Sequence, residues 1–168
     1  MSMSPWPNSS VVDIIRQVAV IPYGRASDRR GETILRERRG TCSGKHYLLR
    51  DLLVARGVGV QLIHRVYRLR RDEAARMFSD NVAAMVPEGG LTDVHTYAVI
   101  SLSGIATRVD VTFPRAWDGV SDMTLACGEG VDVSVLEGAD AQALKEELVR
   151  AHCSVVERER FIAALGRT

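Results

Sequence analysis

Apolar residues follow two rhythms along this chain, one at three- and four-residue spacing and one in dense β-branched runs, and each predicts a different element. The clearest helical stretch is "KHYLLRDLLVAR", where Tyr47, Leu48, Leu49, Leu52, Leu53 and Ala55 form one broad apolar face that Gly57 terminates. Gly40 frees the backbone ahead of it, and Thr41 stands as N-cap, its hydroxyl expected to accept an amide that lacks an intrahelical partner. Upstream, Ser9 or Ser10 caps a short helix over "VVDIIRQVAV" that ends before Ile21-Pro22, and "SDRRGETILRER" holds a short helix or turn leading to Gly40. Residues 1–8 read as a flexible tail and 9–168 as a single domain.

The second rhythm begins with "VGVQLIHRVYRLR", a strand bounded by Gly57 and Gly59. "RDEAARMFSDNVAAMVP" returns to helical spacing, with Ala74, Met77, Phe78 and Val82 on one side, until Pro87 breaks it. In "DVHTYAVISLSGIATRVDVTFP" two β-rich runs meet at Ser103-Gly104, a pair suited to a two-residue hairpin turn. That loop pairs Leu102 with Ile105, sets Tyr97 opposite Asp110 and His95 opposite Thr112, and makes His95 and Asp110 diagonal neighbours roughly 7–8 Å apart on one face. A three-residue loop sends the two side chains to opposite faces. Further strand-like runs fill "WDGVSDMTLACGEGVDVSVLEG", Asp140 caps a helix over "DAQALKEELVRAHC", and Ser154 with Glu157 forms a capping-box pattern for a last helix. The order predicts an α+β domain whose antiparallel sheet packs against the cysteine-bearing helix, with flanking helices.

Composition narrows the function classes. With 22 basic and 21 acidic residues intermixed, a formal charge of +1 offers no field for nucleic acid or an anionic membrane. The arginine runs around Arg25–Arg39 and Arg65–Arg71 read as solvated faces, with an anion patch beside the site as the lesser alternative. No basic leader precedes an apolar run and no window reaches transmembrane length, so a cytoplasmic location is expected. Cys42, Cys127 and Cys153 are odd in number and lack CxxC spacing, which argues against disulfides and a structural zinc site. No cofactor or metal is expected, and the oligomeric state is open.

Cys42 falls in the first turn of its helix, where unpaired amides and the positive end of the dipole favour a thiolate. A small cysteine packed under a helix start is the competing account. Combined with His95 and Asp110, it makes the parts of a nucleophile, base and orienter arrangement. "RRGTCSGKHYLLRDLLVARG" followed by "HTYAVISLSGIATRVDVTFP" resembles the transglutaminase-like superfamily across about Arg38 to Pro114. "GTC" is similar to its glycine approach to the cysteine, "HTY" to its histidine with an aromatic two places on, and "VDVT" to its aspartate motif.

The resemblance implies a papain-like core and cysteine-dependent acyl chemistry on a peptide or small amide substrate, with catalytic Cys42, His95 and Asp110. Hydrolysis and transfer to an amine share the Cys42 thioester and are not separable from these residues. Family members draw a second oxyanion donor from upstream, for which Tyr23 is the candidate. Ser43 after the cysteine and the long insertion between its helix and His95, which includes the Arg71–Val86 helix, depart from the family pattern. Two alternatives stand beside this reading: an arylamine N-acetyltransferase-like enzyme, which "RRGTC" and "DVTFP" also resemble, and a binding or assembly module whose chemistry has lapsed. His46, one turn after Cys42, is a rival partner or half of a metal pair. His64 and His152 read as packing or surface residues, and Tyr97 as packing beside the site. Iodoacetamide is expected to label Cys42 ahead of Cys127 and Cys153, and below neutral pH; equal labelling of all three, read by peptide mass mapping, would favour the lapsed module.

Overall fold

The computed structural model describes residues 5–113 and 129–167. Among them the chain is mixed α and β, with helices α1 (Val11–Ala19), α2 (Gly31–Glu37), α3 (Cys42–Val54), α4 (Arg71–Met77), α5 (Asp80–Ala83), α6 (Ala141–His152) and α7 (Val155–Leu165). Strands β1 (Val60–Leu69), β2 (Leu91–Leu102), β3 (Ile105–Val109) and β4 (Gly130–Ser134) form one antiparallel sheet in the order β3-β2-β1-β4. The described residues divide into two compact units, 5–62 with 97–113, and 63–96 with 129–167. Cys127, and most of the stretch from Pro114 on that was read as strand-like, lie outside the described residues.

In the first unit, α1 starts as its sequence predicts. Ser10 accepts the Asp13 amide and Asp13 accepts the Ser10 amide, a capping box that leaves Ile14, Ile15, Val18 and Ala19 buried. Of the expected tail, Trp6 is tied down by its carbonyl, which accepts from Arg56 Nη2 at 2.5 Å. α3 departs from the one-faced helix of the sequence reading, because every residue from Cys42 to Leu49 is buried and Ala55 is exposed. Close approach explains this. A Cβ on Gly44 would stand 2.8 Å from Ile34 Cδ1, and one on Gly31 3.0 Å from Leu48 Cδ1, so α2 lies directly on the start of α3. Thr41 occupies the N-cap in extended conformation, but its side chain makes no cap hydrogen bond.

The hairpin has the predicted two-residue loop. Leu102 pairs with Ile105 and Ala98 with Val109, with Ser103 and Gly104 at φ of 51° and 80°. Two consecutive left-handed residues match the right-handed twist of the flanking strands. β3 ends at Val109, so the expected pairs Tyr97–Asp110 and His95–Thr112 are not part of the ladder, and Asp110 and Thr112 lie just beyond it.

In the second unit, the single helix expected over residues 71–86 is broken in two. Phe78 leaves helical geometry at φ −128° and ψ 172°, and its ring meets Phe161 edge-on at 5.9 Å. Ser79 then starts α5. Burying an aromatic ring against α7 outweighs the single hydrogen bond that continuing the helix adds. α6 is capped as predicted, Asp140 accepting the Gln142 and Ala143 amides, whereas Ser154 caps α7 by position only and the expected capping box is not formed. Among the described residues no helix is long and apolar enough to cross a membrane.

Gly104→Val is expected to destabilise the chain by about 1–2 kcal/mol through its left-handed backbone, with no loss of buried surface. Urea denaturation measures it; an unchanged midpoint would mean that the turn relaxes to another type.

Candidate functional site

Cys42 opens α3 and is 9% exposed, its Sγ 3.9 Å from the Ser43 hydroxyl. The backbone ahead of it is pinned by a parallel bridge between Tyr23 and Gly40, in which Gly24 N–H donates to Gly40 O and Gly40 N–H to Pro22 O. Only glycine fits at 40, since a Cβ there would stand 2.9 Å from Lys45 Cγ and 3.2 Å from Ile34 Cδ1. Tyr23, the sequence candidate for the second oxyanion donor, therefore runs alongside the residue two before Cys42, and its ring packs on Phe113 at 5.2 Å.

Two polar side chains one turn into α3 point into the protein. Lys45 is fully buried, and its Nζ donates to the carbonyls of Ala19 at 3.0 Å, Ile21 at 2.6 Å and Thr112 at 3.0 Å. Three acceptors match the three N–H groups of an ammonium. Burial pushes that ammonium down to about 7, opposed by the attraction of Asp110 and Cys42.

His46 Nδ1 lies 2.7 Å from the Cys42 carbonyl. A carbonyl only accepts, so the proton sits on Nδ1, and Nε2 accepts the Val111 N–H at 3.1 Å. Asp110 Oδ1 stands 3.8 Å from the same Nε2, whose lone pair already faces an amide, so this approach is not an ion pair. The expectation that His46 might replace His95 as partner, or hold a metal, is corrected by these bonds: both ring nitrogens are engaged with the backbone. Among the described residues no group of three His, Cys, Asp or Glu side chains is arranged to hold a metal ion.

Asp110 is 4% exposed and follows β3 directly, its Oδ1 accepting the Thr112 N–H at 2.9 Å. This local turn fixes the carboxylate. Cys42 and Asp110 thus belong to the first unit, where His46 spans from the carbonyl of one to the amide next to the other. His95 belongs to the second unit, buried on β2, with the Tyr67 ring edge-on at 6.4 Å and 87°. Sequence reasoning missed Lys45 and identified His46 only as a rival catalyst. Lys45 follows Cys42 at helical spacing and reads as a surface cation, so only Gly40 and Gly44, which let α2 close over it, hint otherwise.

Cys153 is half-buried, and burial with the neighbouring Asp93 pushes its thiol up to about 11, which makes it an inert reference for the reactivity of Cys42. Tyr47, beside Ser43 on α3, is raised well above the usual phenol range by burial and then by Cys42. Comparison with protein-family models, curated proteins and solved structures finds no match to this chain.

Lys45→Met is expected to cost about 1–3 kcal/mol by leaving buried carbonyls without donors, measurable by urea denaturation. A Lys45 value of about 7 in the folded chain against 10.5 unfolded means that the unfolded chain binds more protons between those values. Stability should therefore rise with pH above 7, by at most about 1.4 kcal/mol per unit. Denaturation at pH 7 to 8.5 should show this slope in the native chain and not in Lys45→Met.

Proposed function

We propose that the chain is a cysteine enzyme of acyl transfer, using Cys42 as nucleophile, His95 as base and Asp110 as orienter on amide or ester substrates. The observation that carries this reading is the setting of Cys42: a thiol at the first residue of a thirteen-residue helix, its turn bonded through His46 to the segment bearing Asp110. Helix-start amides supply donors for an oxyanion, and the Thr41 side chain does not take them up. The hairpin ladder, from Leu102–Ile105 to Ala98–Val109, delivers Asp110 at the end of β3.

The chemistry runs in two halves. Cys42 sulfur attacks the carbonyl carbon while the thiol proton passes to His95; the carbon–nitrogen bond then breaks and the imidazolium returns that proton to the departing amine. Water or a second amine next attacks the thioester carbon, giving its proton to His95, and the regenerated thiol leaves. Asp110 holds the imidazole in the tautomer that accepts from the thiol. Tyr23, paired beside Gly40, is the candidate second oxyanion donor.

An activated aryl ester tests this without knowledge of the substrate. The native chain should release a burst of one phenol per chain and carry the acyl mass on Cys42, and Cys42→Ala should show neither while keeping its fold. Asp110→Asn preserves the acceptor for Thr112 N–H and should slow acylation on the order of 100-fold or more. A full burst in Cys42→Ala rejects the nucleophile, and an unchanged rate in Asp110→Asn removes Asp110 from the triad.

A further inference from the structure

On β2, Asp93 lies two residues before His95 and therefore on the same face of the strand. Its Oδ1 accepts Arg158 Nε at 2.5 Å and the Val94 N–H at 2.7 Å, and the Tyr67 hydroxyl donates to Oδ2 in a long hydrogen bond of 3.5 Å. Arg158 reaches it from α7, and the side chains of the pair are only 12% and 11% exposed. A buried pair of this kind is weak evidence for stability, because desolvating two charges costs about as much as their attraction returns. What a buried carboxylate held by Arg158 and the Val94 amide does provide is direction.

That direction falls on Tyr67, which lies on the neighbouring strand β1 and whose ring stands perpendicular to the His95 imidazole, centroids 6.4 Å apart at 87°. A T-shaped ring pair restricts rotation about the last torsion of the imidazole, the one soft torsion that decides where its nitrogens point. We propose that Asp93 is a positioning residue for His95: clamped by Arg158, it anchors the Tyr67 hydroxyl, and the Tyr67 ring sets the plane of the imidazole. The proposal rests on the reading of His95 as the base, and places Tyr67, Asp93 and Arg158 behind it as a relay that touches no substrate.

The test uses the full chain and needs no substrate. Iodoacetamide alkylation of Cys42 is followed by peptide mass mapping across a pH series in the native chain, Tyr67→Phe, Asp93→Asn, the double variant and His95→Ala. Tyr67→Phe and Asp93→Asn should each slow Cys42 alkylation near neutral pH by roughly threefold to tenfold, the effect of one lost hydrogen bond, and shift the midpoint of the pH profile. The double variant should be no slower than the worse single, as expected for members of one network. If both singles keep the native profile while His95→Ala moves it, positioning by Asp93 is overturned and the acyl-transfer reading stands. A lowered urea midpoint with an unmoved profile overturns it in the same way. An unchanged profile in His95→Ala removes the base itself, and this proposal with it. Tyr67→Phe loses only a hydroxyl and keeps the ring, so it decides the matter should Asp93→Asn fail to fold.

Discussion

The first unit is organised around one buried cation. Lys45 Nζ gathers the carbonyls of Ala19 and Ile21, where α1 gives way to the bridge beside Gly40, and of Thr112, just beyond Asp110. Three carbonyls from two segments distant in sequence converge on one nitrogen. Taking an ammonium out of water costs several kcal/mol, and its hydrogen bonds, about 1.5–3 kcal/mol each, return only part of that, as its lowered value of about 7 records. The arrangement holds because all three donors are used; remove the nitrogen and the carbonyls that wrap it have lost their partner.

Each unit repeats a second device, a buried histidine that ties the first turn of a helix to a distant segment. His46 donates to the carbonyl of Cys42 and accepts from Val111. In the second unit His64 Nε2 donates to the carbonyl of Ala141, the first residue of α6, at 2.8 Å, and its Nδ1 is hydrogen-bonded to the Thr96 hydroxyl at 3.1 Å. Lys145 in turn donates to Thr96 Oγ1 at 2.9 Å. Imidazole suits this work because one ring offers a donor and an acceptor on opposite sides, and a buried network in which every member is matched permits a single arrangement.

For acyl chemistry, these clamps matter through geometry. A nucleophile misplaced by about 1 Å loses on the order of 100-fold in rate, and a cysteine at a helix start is only as well placed as that first turn. Lys45 and His46 hold that turn from within the core, while the Tyr23–Gly40 bridge holds the approach to it. The reading of Cys42, His95 and Asp110 as a triad draws on motifs and on this setting of Cys42, and on the register of a hairpin whose loop has an even number of residues.

What the sequence determined by itself was local. Ser10 with Asp13, Asp140 at the start of α6, Gly57 after α3 and Ser103-Gly104 between two β-rich runs each act within a few residues, so the physics that places them is contained in the stretch that carries them. Residue type and order make Cys42, His95 and Asp110 the candidates for a triad. Tertiary structure decided which polar side chains are buried. Ser43, Lys45 and His46 are polar and read as solvated, yet all three are buried: Lys45 and His46 meet backbone groups of the α1 end and of residues 111 and 112, and glycines at 31, 40 and 44 let α2 and α3 approach closely. It also broke the helix at Phe78, whose ring takes up a place against Phe161, and left Ser154 and Thr41 as caps in position only. Periodicity records the preference of a side chain for water or for apolar surroundings; the carbonyls that satisfy a buried ammonium lie far along the chain, and only folding brings them to it.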